Sequence, residues 1–125
     1  MQVSLTALKG ILLTNVCEVQ FVRRIPIPYR TDQRKMWCTN SAALLNSFNG
    51  KTVLNYFAPR FAQKYNPEQY NLCVTWDILC QDYRQINMDS CTLIQKMPAN
   101  EEFWKYFNEN ILTMTQLEKI VYMDA

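Results

Sequence analysis

The clearest strand signal in this 125-residue chain is the stretch Leu72-Cys73-Val74-Thr75-Trp76-Asp77-Ile78-Leu79. Apolar side chains fall on both of its faces, which predicts a central strand of a sheet. Cys80-Gln81-Asp82 then predicts a turn, and Tyr83–Asp89 alternates in the manner of a half-buried strand. The two stretches together predict a β-hairpin at the centre of the domain.

Further short strands are predicted on both sides of this hairpin. Alternation of apolar and polar residues predicts strands at Val16–Arg24, at Arg34–Thr39 and at Thr92–Lys96. Between the first two, Ile25-Pro26-Ile27-Pro28 lacks ladder donors and predicts an extended edge or arm. Short strands paired around a compact core favour a small barrel.

Helices are predicted from spacing and from capping residues. Ser4 caps an N-terminal helix, and Ser41–Phe48 has helix-forming composition that Asn49-Gly50 is expected to stop. Asn100 caps a helix that carries two glutamates in its first turn, and Thr115-x-x-Glu forms a capping box for a terminal helix. The predicted class is therefore α+β.

The whole chain, residues 1–125, is predicted to be a single domain. Its barrel core is expected at about 15–40 and 71–96, with an insertion at 41–70 and C-terminal helices at 100–124. The inserted connection is long for a compact domain, and long connections are often functional.

The composition excludes several classes of chemistry. Histidine is absent, which removes the commonest general base and metal ligand, and the two glycines leave no phosphate-cradling loop. The five cysteines are odd in number and lack a Cys-x-x-Cys pair, which predicts reduced, buried thiols and a cytoplasmic location. No apolar run approaches the roughly 20 residues of a membrane span. We expect a protein that is not an enzyme and that holds no metal or other cofactor.

Charge is unevenly placed along the chain, although the net charge is only +2. Between Phe21 and Lys64 there are eight basic residues and one acidic residue, whereas Ala99–Ala125 contains two basic and five acidic residues. This asymmetry predicts a basic face with an acidic C-terminal cap. A solvated surface whose charges happen to cluster is an equal alternative.

The best candidate site is the basic and aromatic material of the first half of the chain. Lysine and arginine neutralise phosphates, and exposed rings stack on unpaired bases. The candidate contacts are Arg23, Arg24, Tyr29, Arg30, Arg34, Lys35, Trp37, Tyr56, Arg60, Lys64 and Tyr65. Phe57 and Phe61 are instead expected to fix the long connection to the core, because phenylalanine has no polar group.

A second candidate set is Asp77, Tyr83 and Arg84, on adjacent predicted strands. Arg84 could bind an anionic ligand, with Asp77 or Tyr83 orienting it. A purely structural role, as an Asp77–Arg84 pair or a turn cap, is favoured. Asp77, Asp82 and Asp89 match no metal-binding loop, so no metal site is expected.

The predicted C-terminal helix at Glu101–Ile111 offers an alternative binding surface. Phe103, Trp104 and Phe107, with Tyr106 beside them, either close the core or form a protein-binding surface.

Two groups of residues resemble a known family. Cys17–Phe21 precedes Arg34–Thr39, and Val74–Asp77 precedes Asp82–Asp89. Together these stretches resemble the WYL-like, Sm/SH3-type small-barrel proteins that are common in bacteriophages. The resemblance implies a small antiparallel SH3/Sm-like β-barrel and a role in binding nucleic acid, a ligand or a protein. It brings no catalytic residues.

Three functions follow from the sequence, in decreasing order of preference. The first is a non-catalytic, phage-encoded accessory factor that contacts nucleic acid, DNA or RNA, through the basic and aromatic face. The second is an interaction module that binds and modulates a host protein. The third is a nucleotide or small-ligand sensor. No membrane partner is expected, the location would be the host cytoplasm for a phage protein, and a homo-oligomer remains open.

Overall fold

An antiparallel sheet lies at the centre of the fold in the computed structural model, which describes residues 1–59 and 64–125. Its order is β4-β3-β2-β1-β5. The strands are β1 (Asn15–Val22), β2 (Gln33–Thr39), β3 (Leu72–Asp77), β4 (Asp82–Asn87) and β5 (Thr92–Pro98). Each coincides, within a few residues at its ends, with a strand predicted from the sequence, so those predictions are confirmed.

Short helices surround the sheet. They are α1 (Leu5–Leu12), α2 (Ala42–Leu45), α3 (Phe48–Thr52), a 3-10 turn (Pro67–Tyr70), α4 (Glu101–Tyr106), a π-helical segment (Phe107–Ile111) and α5 (Gln116–Met123). The predicted caps are present: the Ser4 hydroxyl accepts from a backbone N–H of α1, and Thr115 and Glu118 form the capping box of α5.

Gly50 does not stop a helix, so the predicted end of the helix at Ser41–Phe48 is wrong. Ser47 begins a new helix, because its hydroxyl accepts from the Gly50 N–H at 3.0 Å. Gly50 lies inside that helix, where a Cβ atom would collide with the carbonyl oxygens of Leu44 and Leu45. The glycine is needed for the close approach of the two short helices.

Two apolar clusters lie on opposite faces of the sheet. One packs beneath α1 and includes Leu8, Leu12, Val19, Met36, Cys38, Ile86 and Leu93. The other packs beneath α4 and the π-helical segment and includes Trp37, Leu44, Leu54, Trp76, Phe103 and Phe107. The predicted alternation along β2 is confirmed, because Met36 and Cys38 belong to one cluster and Trp37 to the other.

The predicted SH3/Sm-like barrel is wrong, because the sheet is open. β4 and β5 are its two edges, and no ladder joins them within the described ranges. A barrel closes around a single interior, whereas this sheet is a layer with an apolar cluster on each face. Helices cover both faces, and the chain therefore buries its apolar residues without closing the sheet.

The contact between β2 and β3 is short, and this shapes one end of the molecule. Only Cys38–Asp77 and Thr39–Trp76 pair across it. The Ile78 N–H still donates to the Trp37 carbonyl at 2.9 Å, but β3 has by then entered its turn. The first residues of β2 therefore lack a ladder partner on this side, and a cavity lies beside them.

The cysteines fit the predicted buried thiols at four of their five positions. All five cysteines are free thiols; four are buried and Cys80 is half-buried. Burial raises the pKa of Cys17, Cys38, Cys73 and Cys91, which keeps these thiols protonated near neutral pH. None of the helices in the described part of the chain is long and apolar enough to cross a bilayer.

Candidate anion-binding site

Five arginine side chains line one cavity of about 320 Å³, which we call the arginine pocket. Arg23, Arg24 and Arg30 come from the β1–β2 loop, Arg34 from β2 and Arg84 from β4. Guanidinium groups stay charged at any physiological pH. The fold therefore brings Arg84 of β4 beside four arginines of the β1–β2 region, about 50 residues earlier in the sequence, and concentrates their positive charge.

The remaining wall of the pocket is apolar or neutral. It is formed by Phe21, Ile25, Ile27, Cys80, Gln85 and Met123. Ile25 and Ile27 are exposed, and they belong to the stretch predicted as an extended arm. That stretch is part of the loop that joins β1 to β2, and the same loop carries Arg23, Arg24 and Arg30.

The inner wall is a buried ion pair between Arg34 and Asp77. The Arg34 guanidinium donates to the Asp77 carboxylate and also contacts the Cys80 sulfur at 3.4 Å. The other oxygen of Asp77 accepts from the backbone N–H groups of Leu79 and Cys80, each at 3.0 Å. Asp77 therefore fixes the turn after β3 and the position of Arg34 at the same time.

Two arginines of the outer wall, Arg23 and Arg30, share the carboxylate of Asp124, which is not itself part of the pocket lining. The Asp124 carboxylate accepts from Arg30 at 2.6 and 2.7 Å and from Arg23 at 2.9 Å. The hydrogen bonds from Arg30 hold the pKa of Asp124 below its ordinary value. Burial lowers the pKa of Arg23 in spite of this partner, but the ordinary value is high enough for Arg23 to stay charged.

Arg24 and Arg84 are the more available arginines. Arg24 is exposed, its guanidinium lies 5.2 Å from the centre of the Tyr70 ring, and no carboxylate of the described residues forms an ion pair with it. Arg84 is 3.3 Å from Asp82 in an exposed pair, which contributes little. These two side chains can turn toward a ligand without disturbing a buried contact.

Two exposed tyrosines border the arginine pocket. The Tyr65 and Tyr70 rings lie 5.6 Å apart and edge-on, and 42% and 51% of their surfaces are exposed. The Tyr65 hydroxyl contacts Gln85 of the pocket wall at 3.0 Å, and Arg24 lies over Tyr70. Sequence reasoning missed Tyr70, although it stands among the same basic residues as Tyr65.

Three predicted contact residues lie on the other face of the sheet. Trp37 is 2% exposed and packs against Tyr106, and the Tyr56 ring packs edge-on against Trp76 at 5.0 Å. Lys35 alternates onto the same side of β2 as Trp37. The structure does not bring these three side chains to the arginine pocket.

The other predicted residues are scattered. Tyr29 is fully exposed in the β1–β2 loop, with a left-handed φ of 65°, but it does not line the pocket. Lys64 is exposed and also outside the lining. Phe57 packs against Trp76, as predicted. Arg60 and Phe61 lie outside the described residues.

The set of Asp77, Tyr83 and Arg84 is divided between different surroundings. Arg84 lines the pocket, whereas the Tyr83 hydroxyl bonds to the Phe57 carbonyl at 2.9 Å on the opposite side. Asp77 caps its turn as expected, but Arg34 is its ion-pair partner in place of Arg84. Within the described residues, no group of acidic or cysteine side chains is arranged to hold a metal ion.

A larger cavity of about 450 Å³ lies between α1 and the start of β3. Its wall is mainly apolar, with Leu5, Leu13, Pro67 and Leu72, and it includes Pro59, which borders the segment that the structure does not describe. Among its described lining residues, Lys9 and Glu68 are the charged ones, and they pair with each other at 2.5 Å. The described part of its wall has no set of converging polar groups comparable to the arginine pocket.

Comparison of the chain with protein-family models, with curated proteins and with solved structures finds no significant match. The resemblance to WYL-like small-barrel proteins therefore stays a prediction, and the barrel that it implies is absent from the described fold.

Proposed function

We propose that this protein is a non-catalytic binding protein for single-stranded nucleic acid. Phosphates would bind in the arginine pocket, and neighbouring bases would stack on Tyr65 and Tyr70. The observation that supports the proposal is the convergence of five arginines from three segments on one cavity.

Charge and geometry both favour phosphate as the ligand group. Five guanidinium groups face the cavity, and three carboxylates, Asp77, Asp82 and Asp124, pair with four of them. Among the described residues, the arginines of the pocket therefore outnumber their paired carboxylates by two, and Asp32 of the same loop also acts on Arg23. The planar guanidinium fork matches the oxygens of a phosphate, and neutralising a phosphate releases condensed counterions.

The tyrosines favour a single strand over a duplex. Tyr65 and Tyr70 are half-exposed rings beside the arginines. A ring can stack on a base only when that base is unpaired, and each such contact contributes about 1–3 kcal/mol. A duplex would offer the pocket its phosphates alone.

Fluorescence anisotropy with a labelled oligo-dT strand tests the proposal. We expect micromolar or tighter binding at about 50 mM salt that weakens steeply toward about 200 mM. Arg24→Glu and Arg84→Glu should each weaken it at least about tenfold, because a like charge replaces an available phosphate contact. Both side chains are exposed, so both variants should stay folded.

Matched controls change the same charge elsewhere. Lys51→Glu on α3 and Lys105→Glu on α4 replace exposed residues outside the pocket lining. They should leave most of the affinity in place. Equal losses for all four variants, or no binding of wild type at low salt, would overturn the proposal. Equal affinity for a duplex of the same length would remove the role of the tyrosines.

A second candidate, a protein-interaction module, is supported by a different surface from the predicted one. The aromatic face of α4 closes the core, because Phe103 is fully buried. On α5, however, Leu117 and Val121 are 70% and 63% exposed, four residues apart on one helical face. A salt-tolerant protein captured by wild type and lost with Leu117→Asp, but kept with Arg24→Glu, would favour this function.

A free nucleotide carries the same phosphate chemistry as a strand. Saturable thermal stabilisation by a nucleoside triphosphate, without retention of oligo-dT, would assign the arginine pocket to a nucleotide sensor instead.

A further inference from the structure

The Asp124 carboxylate accepts hydrogen bonds from the guanidinium groups of Arg23 and Arg30, which a phosphate in the pocket would also use. Arg30 presents two hydrogen-bond donors to it in parallel, at 2.6 and 2.7 Å, and Arg23 adds a third at 2.9 Å. This is the forked geometry that arginine also offers to phosphate oxygens. A ligand that used Arg23 and Arg30 would have to replace the Asp124 carboxylate.

The helix that carries Asp124 is attached to the rest of the molecule mainly near its C-terminal end. None of the residues of α5 is buried, and Tyr122 packs against the apolar cluster beneath α4. Beyond the Asp124 ion pairs, the end of α5 is held by the Tyr122 hydroxyl on Glu18 at 2.6 Å, by Lys35 over the Tyr122 ring at 5.1 Å, by the Gln20 amide on the Ala125 carbonyl at 2.8 Å and by the Met123 sulfur on Cys80 at 3.4 Å. Helices with few buried contacts open at low free energy. Releasing the end of α5 would remove Tyr122 from the apolar cluster beneath α4, but it leaves the buried members of both clusters in place.

The wall of the pocket changes when this end is released. Met123 lines the arginine pocket, and the Asp124 backbone carbonyl accepts from the Thr31 hydroxyl at 2.8 Å. Departure of these residues would leave Arg23 and Arg30 without a carboxylate and would widen the cavity on that side. The inner pair of Arg34 and Asp77 would be unchanged, because it is fixed by the turn after β3.

We propose that Asp124 is an internal competitor for the arginine pocket, and that phosphate binding displaces it together with the end of α5. This inference rests on the proposed function and describes the regulation of that site. Any ligand that needs Arg23 and Arg30 binds only the fraction of molecules in which Asp124 has left. Its apparent dissociation constant is therefore raised in inverse proportion to that fraction.

Asp124→Asn tests the proposal with the same labelled oligo-dT. The amide keeps the shape of the side chain and loses its charge, so we expect binding to tighten by about tenfold, as for a competitor that occupies the site about nine-tenths of the time. Glu109→Gln is the matched control, because it removes the same charge from an exposed position outside the pocket lining. It should change the affinity by less than about twofold.

Hydrogen exchange provides a second readout. Oligo-dT should speed exchange of the α5 amides in wild type while the sheet amides stay protected, and Asp124→Asn should speed it without ligand. Unchanged affinity in Asp124→Asn, or α5 amides that become protected when wild type binds, would overturn the inference and leave the proposed function standing. Failure of wild type to bind at low salt would overturn the proposed function and, with it, the inference.

Discussion

Two aspartates neutralise arginines at the same pocket, but they belong to very different surroundings. Asp77 is completely buried and also accepts from two backbone N–H groups of its turn. Asp124 is 19% exposed and stands at the end of a helix that has no buried residue. The arginine–carboxylate pair at Asp77 therefore stabilises the fold, whereas the one at Asp124 is replaceable.

Burial decides between these two roles. Breaking a buried pair leaves an uncompensated charge in a medium that solvates it poorly, which costs about 3–5 kcal/mol. Breaking a partly exposed pair returns both partners to water and costs about 0–1 kcal/mol. Arg34 therefore serves to hold the pocket together, and Arg24, Arg30 and Arg84 are the arginines that can exchange partners. The Arg23 side chain is as buried as that of Arg34, at 8% and 9% exposed, so it exchanges only its carboxylate partner and keeps the Thr31 and Gln33 carbonyls as acceptors.

The largest expected effect is that of Asp77→Ala on stability. The substitution leaves Arg34 buried without its partner and removes the acceptor of two turn N–H groups. We expect the free energy of unfolding in urea to fall by about 3–5 kcal/mol. Asp82→Ala, on the exposed pair with Arg84, should change it by less than about 0.5 kcal/mol. Similar losses for both variants would contradict the framework role of Asp77.

A double variant tests whether Arg34 and Asp77 stabilise the fold as a coupled pair. Arg34→Met alone leaves the Asp77 carboxylate without its cation, whereas Arg34→Met with Asp77→Asn removes both charges and keeps an acceptor for the turn. The double variant should be more stable than either Arg34→Met or Asp77→Asn alone by about 1–3 kcal/mol, since the two positions are coupled. Additive losses in urea unfolding would show that the pair is not a unit.

Asp124→Asn should destabilise the fold by only about 1 kcal/mol at neutral pH. Arg30 holds the folded pKa of Asp124 below its ordinary value, so this stabilisation is complete above the ordinary carboxyl pKa of about 4. It is lost as pH falls through the lowered value. The difference in unfolding free energy between wild type and variant should therefore shrink with acidification. A difference that grows in acid would contradict the ion pair.

The smallest effect on stability is expected for Arg24→Ala. Arg24 is exposed, and its guanidinium lies over the Tyr70 ring. The substitution should therefore change the free energy of unfolding in urea by less than about 0.5 kcal/mol. Its effect should appear in binding, with a weaker affinity for oligo-dT and a salt dependence that is shallower by about one unit of log–log slope. Loss of stability without loss of affinity would reverse the roles that the comparison assigns.

The strands and most helix ends could be predicted because their signals are local. Period-two alternation marks β1 and β2, and side-chain caps mark the starts of α1 and α5. Gly50 misled the prediction because a glycine that permits close backbone approach has the same letter as one that ends a helix. Only the packing of α2 against α3 separates the two cases.

Local sequence patterns do not show whether the sheet closes into a barrel or which residues line the pocket. Trp37 and Arg34 are both predicted as contacts of the basic face. Because they lie on opposite faces of β2, Trp37 packs in the core and Arg34 lines the pocket. Arg84 joins the loop arginines only because β4 is brought beside them by the fold. The acidic excess near the C-terminus did predict a cap on the basic face, but not that Asp124 would supply it.

Side-chain NMR of the arginines tests the central claim most directly. The Nε–Hε signals of ¹⁵N-labelled protein would be assigned with single substitutions and followed while unlabelled oligo-dT is added. The account predicts that Arg23, Arg24, Arg30 and Arg84 shift together as the strand binds and that Arg34 stays in place on Asp77. Binding with no change at these four arginines, or with the main change at Arg34, would contradict it.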